Sequence, residues 1–167
     1  MVNFHGREFG TFVAPSLGRH TGIRALEWIP RIPRAERERY ESGVRAEGFA
    51  GFRITEVGAS GGMVPAGDRE AYFPVHFMEP LAGNEKAMGF DLASSEVREK
   101  TLRRSMDTGR MLATPPIPLV QEGEGGSGFL VFSPVFKPGS PSAGENAFQG
   151  FCLGVFYVPG IIRAALG

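Results

Sequence analysis

Two apolar runs, 129–137 and 148–158, follow one another near the end of the chain, separated by a loop rich in Pro, Gly and Ser. Their spacing and turn chemistry predict neighbouring antiparallel strands, so the fold must be built around a sheet. The 14 Phe, 24 Gly and 13 Pro in 167 residues argue the same way, for strands joined by punctuated loops rather than for a helical bundle. A hydrophobic fraction of 42% is enough for one core of ordinary domain size. The expected class is mixed α and β.

Upstream, 34–47 reads as a helix. Pro33 occupies its first position, charges crowd its exposed face, Tyr40 and Val44 are spaced to face a core, and Gly48 ends it. Residues 52–57 alternate like a half-buried strand, the Gly-rich stretch 58–67 reads as a loop, and 71–78 as another strand. A short strand is expected at 88–92, followed by a helix capped by the Ser94 hydroxyl and closed by Gly109. The segments 111–114 and 117–121 read as extended around the Pro115-Pro116 break, 122–128 as a turn, and 161–166 as the start of a helix. There is no internal repeat and no linker to divide the chain.

Eighteen basic residues balance eighteen acidic ones, which leaves no net field to hold a nucleic acid or an anionic membrane. Cys152 is the only cysteine, so an intramolecular disulfide and a Cys-based zinc site are excluded, and a buried packing role is expected for it. No apolar run reaches the roughly 20 residues that cross a bilayer, and the first ten residues lack the pattern of a signal peptide. Read alone the chain is a soluble one, which is also how an excised extracellular fragment reads.

Several motifs invite chemistry. Gly58-Ala59-Ser60-Gly61-Gly62 fits the G-x-S-x-G pattern of a nucleophile elbow, but Met63-Val64-Pro65-Ala66-Gly67 directly after it makes a poor helix start, and His76 comes too soon for a triad partner. The run 123–128 is Gly-rich yet lacks the lysine and the helix that a phosphate loop needs. His5, His20 and His76 have no metal-ligand spacing, so neither a metal nor a cofactor is expected. Asp91 precedes a helix, where a carboxylate can cap, accept from a ligand, or act as a base; capping is the simplest role. Arg98 presents a planar fork of donors suited to a carboxylate or carbonyl ligand, and equally to a salt bridge.

Five segments in order resemble the CHASE family of extracellular sensory domains, found in receptor histidine kinases, adenylate and diguanylate cyclases and plant cytokinin receptors. They are Ala25-Leu26-Glu27-Trp28-Ile29-Pro30-Arg31-Ile32 with Glu36-Arg37; Ala71-Tyr72-Phe73-Pro74-Val75; and Met88-Gly89-Phe90-Asp91-Leu92 with Arg98, Thr108-Gly109 and Leu112-Ala113-Thr114. Phe132-Ser133-Pro134-Val135-Phe136 and Gly150-Phe151-Cys152-Leu153-Gly154-Val155-Phe156 complete the set.

The resemblance implies an α+β fold, a PAS-like antiparallel sheet with flanking helices on one face and a ligand pocket between. It implies that residues 1–167 form a single CHASE-type sensory domain, a fragment of a longer receptor displayed in the periplasm or outside the cell. Transmembrane helices would flank it, with a kinase or cyclase as cytoplasmic output and homodimerisation in the intact receptor. Carried over residue by residue, the ligand-facing positions are Pro74, His76, Met78, Leu92, Arg98, Thr114, Val120, Leu130 and Phe132. Where cytokinin receptors place an acidic residue for the adenine ring, this chain has Arg98, which points to a ligand bearing a carboxylate. The expected function is small-molecule sensing by conformational change, with no catalysis in the domain. Two alternatives stand beside it: a protein-interaction module whose pocket is filled by side chains, and a small hydrolase using Ser60 or Asp91.

Overall fold

A computed structural model of the chain describes residues 6–20, 22–119, 127–139 and 147–166. In chain order the elements are helix α1 (Gly6–Arg19), strands β1 (Ile23–Pro30) and β2 (Ile32–Pro33), helix α2 (Arg37–Ala46), and strands β3 (Thr55–Val57), β4 (Met63–Pro65), β5 (Ala71–Tyr72) and β6 (Phe77–Glu79). Helix α3 (Glu96–Thr108), strands β7 (Leu112–Ala113), β8 (Ile117–Pro118), β9 (Ser127–Phe136) and β10 (Phe148–Tyr157), and helix α4 (Val158–Leu166) complete the chain. The fold is α+β, and every pair of named strands is antiparallel.

The two apolar runs are β9 and β10, paired along their length with Leu153 opposite Phe132 and Cys152 opposite Ser133. They sit in a sheet of order β6-β1-β10-β9-β7, with β8 also on β9. Strand β1 is an inner strand between β6 and β10, and its side chains alternate between the two faces of the sheet. Ala25 and Ile29 are buried in the main core, while Leu26 and Trp28 pack on the other face against Phe9 and Val13 of α1 and Phe77 of β6. Burying Phe9 and Val13 stabilises the docking of α1 by about 1.5–3 kcal/mol each. Helix α3 covers the core face through Leu102 and Met106, so helices flank both faces of the sheet rather than the one face expected.

Helix α2 lies within the expected span but starts later, because Pro33 belongs to β2, opposite Ala71, instead of opening the helix. A 3-10 turn, Arg34–Glu36, leads into it, Val44 is buried, and Tyr40 packs on a second core with Ile32, Phe52, Ile54 and Tyr72. The expected strand at 52–57 shortens to β3, and the expected loop at 58–67 contains its partner β4, with Glu56 opposite Val64. The strand expected at 71–78 is broken between β5 and β6. Pro74 has no N–H to give to a ladder, and the intervening backbone bonds instead to other segments, Val75 N to Phe90 O and His76 N to Trp28 O. Residues 88–92 form isolated bridges, Thr55 to Phe90 and Pro74 to Asp91, rather than a strand.

The start of α3 also differs. Helix α3 begins at Glu96 after Ser95, because Ser94 closes a separate 3-10 turn, Leu92–Ser94, whose Ala93 N–H is taken by the Asp91 carboxylate. Gly109 ends α3 in the left-handed conformation at φ 65°, as its sequence position implies. Cys152 is half-buried rather than fully buried, because it falls between the inward-facing Phe151 and Leu153. The final helix begins at Val158, earlier than expected, and the turn expected at 122–128 lies mostly outside the described residues.

Candidate functional site

The sheet and α3 enclose a cavity of about 10 Å3, roughly the space of one water molecule. Its floor is the inward face of three strands: Glu27 of β1, Leu130 of β9, and Leu153 and Val155 of β10. Val75, Phe90 and Leu92 approach from the irregular segments that follow β5, and Leu119 from the segment after β8. Arg98, on the first turns of α3, supplies the one cation in the lining.

The chemistry of this cavity lies in two opposed charges inside apolar walls. Glu27 is 1% exposed, because strand alternation aims it inward between Ala25 and Ile29, both with no exposure at all. The guanidinium of Arg98 lies 5.4 Å from the centre of the Phe90 ring, and its Nη2 donates to the carbonyl of Pro118 at 2.9 Å. Its Nε is buried without a hydrogen-bond partner among the described residues. Burial pushes the Arg98 pKa below its ordinary value, and the carboxylate of Glu27 works against that shift. The attraction of Glu27 thus offsets part of the cost of burying the Arg98 charge.

The cavity brings together Leu92, Arg98 and Leu130 from the expected pocket set. Pro74 and Met78 are buried beside it. Thr114 is buried as a clamp on β9: its N–H donates to the Leu130 carbonyl at 2.9 Å, and its Oγ1 accepts from Leu130 N–H at 3.0 Å. Phe132 has no exposure and packs edge-on against Phe151, with ring centres 5.2 Å apart. His76 sits outside the cavity lining, in an aromatic cluster with Tyr40, Phe52 and Phe77. Val120 lies outside the described residues. The reading from sequence passed over Glu27, although a carboxylate in the inward phase of an alternating strand is a signal that periodicity can find.

The residues weighed for other chemistry are used structurally. Asp91 has no exposure and accepts from Phe73 N–H at 2.8 Å, from Ala93 N–H at 3.1 Å, and from Arg69. Burial pushes its carboxyl above the ordinary value, opposed by those donors. Arg69 also pairs with Glu56, so Asp91 anchors a three-residue ion network that pins the β3–β4 hairpin to the core. Ser60 is exposed in the turn of that hairpin, between two strands rather than between a strand and a helix. His20 is exposed, and His5 lies outside the described residues. No helix among the described residues is long and apolar enough to cross a membrane.

The family model described as "CHASE domain" matches residues 3–167. Among curated proteins, the chain is similar to Hybrid signal transduction histidine kinase A of Dictyostelium discoideum, 28% identical over 96 residues. The match covers 55% of this chain and 4% of that protein, so the chain spans only a small part of its relative's length.

Proposed function

The chain belongs to the CHASE domain family of sensor domains, and from that premise we propose that it senses a small molecule between its sheet and helix α3. The observation that carries this reading is the cavity itself, where Glu27 and Arg98 place opposite charges among apolar side chains. A few polar groups fixing orientation inside an apolar lining are what a small-molecule site requires. At about 10 Å3 the cavity is too small for a metabolite, so a ligand must part α3 from the sheet to enter. Two states of different ligand affinity then result, and the ligand selects the open one.

In the proposed receptor, residues 1–167 form one sensory domain on the periplasmic or extracellular side of a membrane. Helices beyond the domain anchor it, two copies associate, and the output is a histidine kinase or a nucleotide cyclase. The likeness to a hybrid histidine kinase supports the kinase as output. Arg98 is the proposed anchor for a carboxylate or other acceptor, with Leu92 and Leu130 as apolar contacts.

The small volume of the cavity favours a second reading, an interaction module whose pocket is filled by its own side chains and whose signal comes from a protein partner. A thermal-shift series on the purified chain separates the two. Organic acids, amino acids and purines are tested in turn, because a ligand that binds only the folded state raises its melting temperature. The sensor reading predicts a reproducible rise that Arg98→Ala removes. Silence across the panel from a well-folded protein transfers the function to the second reading.

A further inference from the structure

We propose that the groove between residues 49–55 and the segment 81–88 is a second small-molecule site, built for an apolar acid whose carboxylate is held by Arg53. The groove has a volume of about 400 Å3, within the range of about 300–1,000 Å3 that small-molecule pockets occupy. It shares no lining residue with the cavity beneath α3, so a ligand here is additional to the one sensed there. Its two walls are tied at their base, where Thr55 N–H donates to the Gly89 carbonyl at 2.9 Å and Asp91 N–H to the Thr55 carbonyl at 2.8 Å. Each wall is also fixed in itself. Arg45 Nη1 donates to the Phe52 carbonyl at 2.9 Å. The buried Asn84 holds the turn of 81–88, donating from Nδ2 to the Pro80 carbonyl at 2.8 Å and from its backbone N–H to the Leu81 carbonyl at 2.9 Å.

The lining dictates the chemistry of the occupant. Phe49, Phe52, Leu81 and Met88 offer contact to an apolar body, and Leu81 is 40% exposed although its side chain is a large aliphatic one. Arg53 and Glu85 are the two charged residues of the lining. They are not equally available. The backbone N–H groups of Glu85 and Gly83 donate to the Glu85 carboxylate and hold its pKa below the ordinary value, so this anion already has its donors. Arg53 stands exposed between the buried Phe52 and Ile54, and its guanidinium has no hydrogen-bond or ion-pair partner among the described residues. An incoming carboxylate finds a free fork of donors there, whereas an ammonium finds a carboxylate already engaged. An acid with an aryl or alkyl body therefore suits both the apolar walls and the cation between them.

The test follows backbone amide shifts by NMR on the isotope-labelled 167-residue chain. The probes are phenylbutyrate and octanoate, each set against the neutral alcohol of the same skeleton. The expected result is that at least one acid binds with shifts concentrated at 49–55 and 81–89, and that its alcohol binds more weakly by roughly tenfold, the worth of one charge-assisted contact. Arg53→Gln is expected to bring the acid down to the level of its alcohol and to leave the alcohol unchanged. Ala50→Trp, at an exposed position of the lining, is expected to block both. Equal binding of acid and alcohol to the unaltered chain overturns the carboxylate on Arg53, and so does full affinity in Arg53→Gln. Shifts confined to the residues around Arg98, or no shifts from either acid, overturn the second site itself. The mapping and the comparison of acid with alcohol on the unaltered chain decide the matter even if a variant fails to fold.

Discussion

Arg98 of helix α3 donates from Nη2 to the carbonyl oxygen of Pro118 in β8 at 2.9 Å, tying the helix to the short strand beside the cavity. In the proposed sensing role, a ligand that claims the guanidinium competes with this bond. Loss of the side chain therefore separates stability from binding. Arg98→Ala is expected to cost about 1–2 kcal/mol of stability, the worth of one charge-assisted hydrogen bond and some stem packing. It is also expected to abolish the thermal shift given by an anion bound in the cavity. Urea titration reads the first effect and thermal shift the second; a variant that keeps its probe response removes Arg98 from the binding site.

The Asp91 network ties distant segments of the fold together. Both carboxylate oxygens are engaged, Oδ1 by the Phe73 and Ala93 N–H groups and Oδ2 by Arg69. Asp91→Ala leaves those donors facing an apolar void and a cation without its anion, with an expected loss of about 3–5 kcal/mol. Asp91→Asn retains an acceptor for the backbone and is expected to lose less. Denaturant midpoints check the order; two variants of equal stability to the parent refute the role given to the network.

Stability should fall on acidification through the ordinary histidine range, and His76 is the cause. Burial lowers its pKa, and the opposing attraction of Glu47, whose Oε2 lies 3.8 Å from Nε2, does not restore it. Tyr40, the other titratable group against the imidazole, has its phenol pushed upward by burial and stays neutral across this range. With the folded pKa below the unfolded value of about 6.5, the unfolded chain binds more protons in the interval between them, so stability rises with pH there. It is fully present above the unfolded pKa and lost as pH falls toward the folded one. Melting temperatures between pH 5 and 8 should show this slope for the parent and a flatter one for His76→Phe, and identical slopes would rule His76 out.

Two left-handed glycines should respond unequally to the same substitution. Gly109, at φ 65°, ends α3 where a new Cβ has ordinary room, so Gly109→Ala costs about 1 kcal/mol from conformation alone. Gly89, at φ 77°, has its backbone against the carbonyl of Arg53, which a Cβ would strike. Gly89→Ala therefore adds a steric clash to the conformational cost and is expected to lose about 2–4 kcal/mol. Denaturant titration of the pair tests the difference.

The parts of the fold legible in the sequence are those whose signal is local. The apolar runs of β9 and β10, the charged face and Val44 of α2, and the left-handed stop at Gly109 follow from side-chain period and backbone preference, and the structure places them as read. The α+β class and the family resemblance were legible too, because five short segments kept their order. Arg98 could be singled out because a cation near a helix start is visible as a residue type.

Other features exist only through contacts between distant segments. The breaks at Pro74 and at 88–92 arise because those backbones bond to one another and to β1, so regular ladders gave way to isolated bridges. Helix α1 and strand β1 escaped the reading: α1 carries Pro15 within it, and its amphipathic face acquires meaning only when Phe9 and Val13 meet Phe77. The meeting of Glu27 and Arg98 in one cavity lining is of this kind. By itself the sequence determined that a sheet, two charged helices and a cation on one of them would form, since local chemistry sets each. Tertiary structure alone decided that this cation would line the same small cavity as a buried carboxylate 71 positions earlier, because only the packing of helix on sheet brings the two segments together.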